Sequence, residues 1–202
     1  MNATLYYFHD PMCSWCWGYT PTWKHVQQLL PEAVKVEYVV GGLAPDSNVP
    51  MPEALARTIQ SHWKRIESEL GTQFNYDFWT KCSPKRSTYP ACRAVLAAKK
   101  QGKEKAMIQQ IQEAYYLRAM NPSEQSTLVQ LAEELGLDSN QFEQDISSTD
   151  IEHALQGQIR LAREYPVQGF PSLVLIKDGN IHSIPVDYQN PQPTLEAIKR
   201  YS

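Results

Sequence analysis

Residues 4–18 read Thr4-Leu5-Tyr6-Tyr7-Phe8-His9-Asp10-Pro11-Met12-Cys13-Ser14-Trp15-Cys16-Trp17-Gly18. The first five are rich in β-formers and nearly all apolar, as a buried strand requires. Asp10-Pro11 ends that run, and a helix is expected to start at the cysteines. A cysteine at a helix N-terminus faces unpaired backbone N–H groups and the positive end of the helix dipole, and both favour an anion. A thiolate is such an anion, and thiols in such places can titrate at roughly 3.5–7.5 rather than about 8.5. Cys16 lies one turn further on, on the same face and deeper. That arrangement suits thiol–disulfide exchange: Cys13 attacks a disulfide, and Cys16 resolves the mixed disulfide.

Two plainer readings stand beside this one: a zinc half-site, or two inert core cysteines. A structural zinc site takes four ligands. The remaining cysteines, Cys82 and Cys92, are not spaced as a zinc knuckle, His9 is no better placed, and no metal is expected. Cys92 reads as a small buried hydrophobe on a helix that begins near Thr88. The alternative is a second redox pair, Cys82 with Cys92.

Of the 202 residues, 42% are hydrophobic and 20% charged, as in an ordinary globular protein. A chain of this length forms an apolar core without disulfide staples, so a close cysteine pair is more often catalytic or metal-binding than structural. The net charge is −3 with no basic stripe, which argues against a nucleic-acid partner. No apolar run approaches a membrane span, so no membrane association is expected. Met1-Asn2-Ala3-Thr4 carries no basic region and leads into no long apolar core or cleavage site. If Met1 is the native start, a cytoplasmic location is expected.

Beyond the cysteines, Thr20-Pro21 is expected to interrupt the first helix, because proline removes an i→i−4 bond. The pattern resumes through Trp23, Val26, Leu29 and Leu30 and closes at Pro31. Residues 34–40 form a second strand ending in Gly41-Gly42. Leu55, Ile59, Trp63, Ile66 and Leu70 then recur at helical spacing, with Gly71 as cap. Further helices are expected from Ser87 or Thr88 to Gly102, through Met107, Ile111 and Tyr115, through Leu128, Leu131 and Leu135, and through Ile151, Leu155, Ile159 and Ala162. Strand signal returns at Ser172-Leu173-Val174-Leu175-Ile176. Lys177-Asp178-Gly179-Asn180 is a tight hairpin turn, residues 181–186 the returning strand, and residues 193–201 a final helix. Strand, helix and strand suggest a βαβ unit. The fold class is α/β, with a helical domain inserted between two halves: residues 1–46, then 47–165, then 166–202.

The cysteine motif, with Gly169-Phe170-Pro171 far downstream and Pro21 after Cys16, resembles the DsbA-like branch of the thioredoxin superfamily. It is most similar to the cytoplasmic FrnE-like proteins, described as disulfide isomerases. The resemblance covers nearly the whole chain and implies a thioredoxin-like fold with a helical insertion. It implies that Cys13 and Cys16 are catalytic and that Pro171 is a cis-proline facing them. Phe170 would present its backbone to an extended substrate by β-type pairing. Ser14 and Trp15, between the cysteines, would complete the substrate-facing surface. The helix start at Thr88-Tyr89-Pro90 resembles the inserted segment that overhangs the active site in relatives. The expected partners are protein or small-molecule thiols and disulfides. No cofactor is implied beyond the redox-active disulfide, with glutathione as the candidate co-substrate. One departure concerns the buried acid that thioredoxins carry six residues before the first cysteine, where this chain has Tyr7. Asp10 and His9 are the nearest substitutes, although Asp10 also reads as a turn residue and His9 as a half-buried histidine.

Two competing functions follow from the same residues. Kappa-class glutathione transferases and hydroxychromene-carboxylate isomerases share the split fold but typically place serine at the first cysteine; retention of both cysteines argues against them. A chaperone-like binding module would instead use Trp15, Trp17 and Phe170 as an apolar surface. The direction of electron flow and the oligomeric state are not read from the sequence.

Overall fold

The computed structural model describes residues 3–202. Met1 and Asn2, on which the leader reading rests, lie outside the described residues. The chain divides into two units. The first comprises the described residues through Gly41 together with Gln158–Ser202, and the second is Gly42–Gly157. The boundaries therefore fall earlier than 46/47 and 165/166. The second passes through a helix, Thr149–Glu164, whose last turns pack with the sheet rather than with the preceding helices.

In the first unit, β1 (Ala3–His9) leads through α1 (Ser14–Gln28) to β2 (Val34–Val40). β1 and β2 pair in parallel, Ala3 with Val34 through His9 with Val40. A parallel neighbour cannot be reached by a hairpin, so the intervening chain forms the crossover helix. Pro21 lies inside α1 and does not interrupt it. The missing N–H costs one bond, and the apolar face from Cys16 to Val26 still buries. Thr20 Oγ1 donates to the Cys16 carbonyl over 3.1 Å in the turn ahead of the proline.

The helical unit follows: α2 (Glu53–Leu70), α3 (Phe78–Lys81), α4 (Tyr89–Lys100), α5 (Glu104–Tyr116), α6 (Gln125–Glu134), α7 (Ser139–Ile146) and the first part of α8 (Thr149–Glu164). Gly71 caps α2 with a left-handed φ of 68°, a conformation costly for any residue with a Cβ. Trp63 is fully buried and sits among the rings of Phe74, Tyr76, Phe78, Trp79, Tyr115 and Tyr116. α4 buries small residues, Ala91, Cys92, Ala94, Ala97 and Ala98. Small side chains let neighbouring helices approach closely.

The chain returns to the first unit with β3 (Ser172–Lys177), β4 (Asn180–Ile184) and α9 (Gln192–Tyr201). The hairpin turn places Asp178 and Gly179 at φ 51° and 79°, as a tight two-residue turn needs. The sheet order is β2-β1-β3-β4, with β1–β3 and β3–β4 antiparallel. Alternation along β1 splits its side chains between two faces. Phe8 packs with Val39, Ala162 and Val174 on one face. Tyr7 and His9 meet the rings of α1 and Tyr38 on the other. β1 ends directly before the cysteines, so the sheet fixes where α1 begins.

Candidate active site

His9, Asp10, Pro11 and Met12 join β1 to α1. Asp10 is fully buried and shapes this turn: its Oδ1 accepts the Met12 N–H at 2.8 Å and its carbonyl accepts the Cys13 N–H at 3.0 Å. Cys13 is the N-cap of α1, with extended backbone (φ −82°, ψ 116°). Its carbonyl accepts the Trp17 N–H at 3.1 Å, which closes the first turn. Its thiol donates to the Phe170 carbonyl over 3.4 Å. The Phe170–Pro171 peptide is cis, as the resemblance implies, and Pro171 is buried. Two segments 157 positions apart therefore meet at one sulfur.

Cys16 is completely buried. Burial pushes its thiol well above the ordinary range, and a hydrogen bond and charge interaction with Cys13 add to the effect. The Asp10 backbone N–H points at the Cys16 sulfur and acts the other way, while the Asp10 carboxylate disfavours a second negative charge there. All four cysteines are free thiols.

Tyr7 occupies the place of the missing acid. Its ring stacks on Trp23 at 4.6 Å and on His9 at 5.3 Å, and the Tyr38 edge meets it at 5.4 Å. Burial raises its phenol well above 10, with the neighbouring Cys16 adding to the shift, so Tyr7 stays neutral. His9 is fully buried rather than half-buried, and neither ring nitrogen finds a hydrogen-bond partner. Desolvation lowers its pKa to about 3, which keeps it neutral. Its ring belongs to the aromatic layer.

Tyr188, in the loop between β4 and α9, also borders the cysteines. Its ring meets Trp15 edge-on at 5.1 Å and Tyr19 at 5.6 Å, and its carbonyl accepts the Thr22 hydroxyl at 2.5 Å. Burial raises its phenol, and the charges of Cys16 and Cys13 raise it further. No periodic pattern surrounds Tyr188, so nothing in the sequence singles it out. Ser14 opens α1 at half-burial. Thr88 belongs to the helical unit, where its hydroxyl accepts the Ala44 N–H at 3.1 Å rather than capping α4. Cys82 and Cys92 lie in that unit too: Cys82 donates to the Ala119 carbonyl at 3.0 Å, and Cys92 is buried in α4. Among the described residues, no helix is long and apolar enough to cross a membrane.

The sequence profile of the family described as Thioredoxin matches residues 6–190. The chain belongs to the thioredoxin family. Its thioredoxin-like fold superposes on that of a Nitrosomonas europaea protein assigned provisionally to the disulfide isomerases, with a TM-score of 0.87, 24% identity, and 100% and 98% of the two chains covered. It also superposes on the cytosolic disulfide reductase DsbM of Pseudomonas aeruginosa, with a TM-score of 0.79, 26% identity, and 98% and 96% covered. DsbM has been solved with glutathione as well. Among curated relatives, the ClpXP adapter protein SpxH of Halalkalibacterium halodurans is 27% identical over 181 residues, 87% of this chain and 59% of that protein. The chain thus spans less than two thirds of the curated relatives it matches.

Proposed function

We propose that this protein catalyses thiol–disulfide exchange through Cys13 and Cys16, working as a reductase in the cytoplasm with glutathione as the electron donor. The observation that carries the reading is the Cys13 thiol at the N-cap of α1, against the Phe170 carbonyl and above the buried thiol of Cys16. DsbM, a cytosolic disulfide reductase also solved with glutathione, supports the direction and the donor.

The Cys13 thiolate attacks one sulfur of a substrate disulfide. A Cys13–substrate disulfide forms and the other substrate sulfur leaves as a thiolate. Cys16 then loses its proton and attacks Cys13 Sγ, which releases the second substrate thiolate and leaves a Cys13–Cys16 disulfide. Two glutathione molecules return this disulfide to the dithiol and leave as glutathione disulfide. In this reading Asp10, buried beside Cys16, takes the Cys16 proton; Tyr7 has no carboxylate, and burial makes His9 resist taking up a proton. Phe170 presents main chain to an extended substrate next to Cys13, with Trp15 as a further substrate-facing side chain.

Intact-mass analysis after addition of glutathione disulfide tests the assignment. C13A is expected to form no adduct and to lose turnover. C16A is expected to accumulate a stable Cys13–glutathione adduct. An adduct on C13A at the yield seen with C16A would remove Cys13 from its role.

A second reading is an adapter that delivers a protein to ClpXP, supported by the name of the curated relatives. It requires binding that persists in a C13A/C16A variant, whereas exchange does not survive that change.

A further inference from the structure

Gly41 follows the last residue of β2, and its backbone extends the pairing with β1. Its N–H donates to the His9 carbonyl over 2.7 Å. Its φ does not lie in the left-handed region, so backbone conformation does not explain a glycine here. Space does. A Cβ built on Gly41 would lie 1.8 Å from Phe170 Cζ, 2.2 Å from Cε1 and 2.6 Å from Cε2. Carbon atoms in contact stay about 3.5–4.0 Å apart. The far end of the Phe170 ring therefore occupies the volume that any side chain at position 41 would need. The bond to the His9 carbonyl opposes a retreat of the strand, so the ring is the part that must give way.

The ring is also the anchor of its loop. Phe170 packs on the cluster of Phe8, Val39, Ala162 and Val174. The neighbouring Gly169 faces open space, with nothing within 4 Å of a built Cβ. The carbonyl of Phe170 itself accepts the Cys13 thiol. From these placements we infer that Gly41 is a positioning residue: it seats the Phe170 ring and thereby holds the Phe170 main chain against Cys13. The inference rests on the proposed exchange reaction for its kinetic readout and on geometry alone for its second readout.

A double-mutant cycle over positions 41 and 170 tests it. G41A expels the ring, and an ångström-scale misplacement of the loop should lower kcat/KM for disulfide reduction by about tenfold or more. F170A loses the ring but leaves the site free, and should cost less. In the F170A background a methyl group at position 41 meets no ring, so G41A/F170A should match F170A and exceed G41A. The rate of Cys13 alkylation by iodoacetamide should follow the same pattern, and it needs no turnover. Losses that multiply across the two positions would overturn the inference, as would a G41A variant with wild-type kinetics and alkylation. If G41A alone does not fold, the comparison of F170A with G41A/F170A decides, and a further loss in the double variant counts against the seat. If the wild type shows no Cys13-dependent exchange, the reductase reading fails and the alkylation pattern alone judges Gly41.

Discussion

Cys16 must lose a proton before it can act, and its burial opposes that loss. The thiol is raised well above its ordinary range, so the thiolate fraction grows with pH throughout the neutral region. Resolution of the mixed disulfide should therefore speed up as pH rises, read by stopped-flow release of a labelled thiol. The role given to Asp10 makes this sharper. Its carboxylate disfavours charge on Cys16, and the proposed mechanism also gives it the Cys16 proton. If the acceptor role dominates, D10N slows resolution by about a hundredfold, the scale of positioned general-base catalysis. A D10N variant that resolves faster would reduce Asp10 to a charge effect. His9 offers a second test. Its pKa falls from 6.5 to about 3 in the fold. Below the unfolded value the unfolded chain takes up a proton that the native state refuses, so stability drains away as pH falls from about 6.5 toward 3. Between pH 7 and pH 4 this amounts to roughly 3 kcal/mol. H9F should flatten that part of a urea-midpoint profile, and an unchanged acid slope would mean the ring is not kept neutral.

At the scale of elements, strands and capped helices are legible where one local signal dominates. The apolar run at residues 4–8, the glycine cap at Gly71 and the Asp178-Gly179 turn each carry a strong local signal, and the fold keeps all three. Pro21 reads as a break and is not one, because the cost of one lost bond is local, whereas the gain from burying Tyr19, Trp23 and Val26 is not. α3 and α7, with 4 and 8 residues, are too short to show a period. Asp138 does cap α7 by accepting the Gln141 N–H at 3.0 Å, a signal that could have marked its start. The candidate site divides in the same way. The cysteine spacing and Phe170-Pro171 are visible in the chain. The seat of Phe170 on Gly41 and the approach of Tyr188 depend on residues brought together only by folding. In the helical unit, Arg93 ties Asp46 on the incoming loop to Glu152 on α8, with contacts of 2.5, 2.9 and 3.1 Å. Asp46 and Glu152 are partly exposed, so solvent weakens the pairs, and R93A should cost about 1–2 kcal/mol. Thermal unfolding at low and high salt measures this, and a salt-independent, unchanged Tm would contradict it.

For the whole molecule, the thioredoxin-like sheet supplies the end of β1 and the Phe170 loop, and both converge on the start of α1. The helical unit has its own aromatic core around Trp63. Its cysteines have local settings, one bonded to the Ala119 carbonyl and one buried in α4, and neither calls for disulfide chemistry. The central claim is that one pair of sulfurs, and no other, exchanges electrons. Equilibrating the protein across a series of reduced and oxidised glutathione ratios, then trapping and mapping disulfides by mass spectrometry, measures this directly. The account predicts a single two-electron transition that joins Cys13 to Cys16, with Cys82 and Cys92 remaining thiols throughout. A transition that joins Cys82 to Cys92, or none at Cys13 and Cys16, would contradict it.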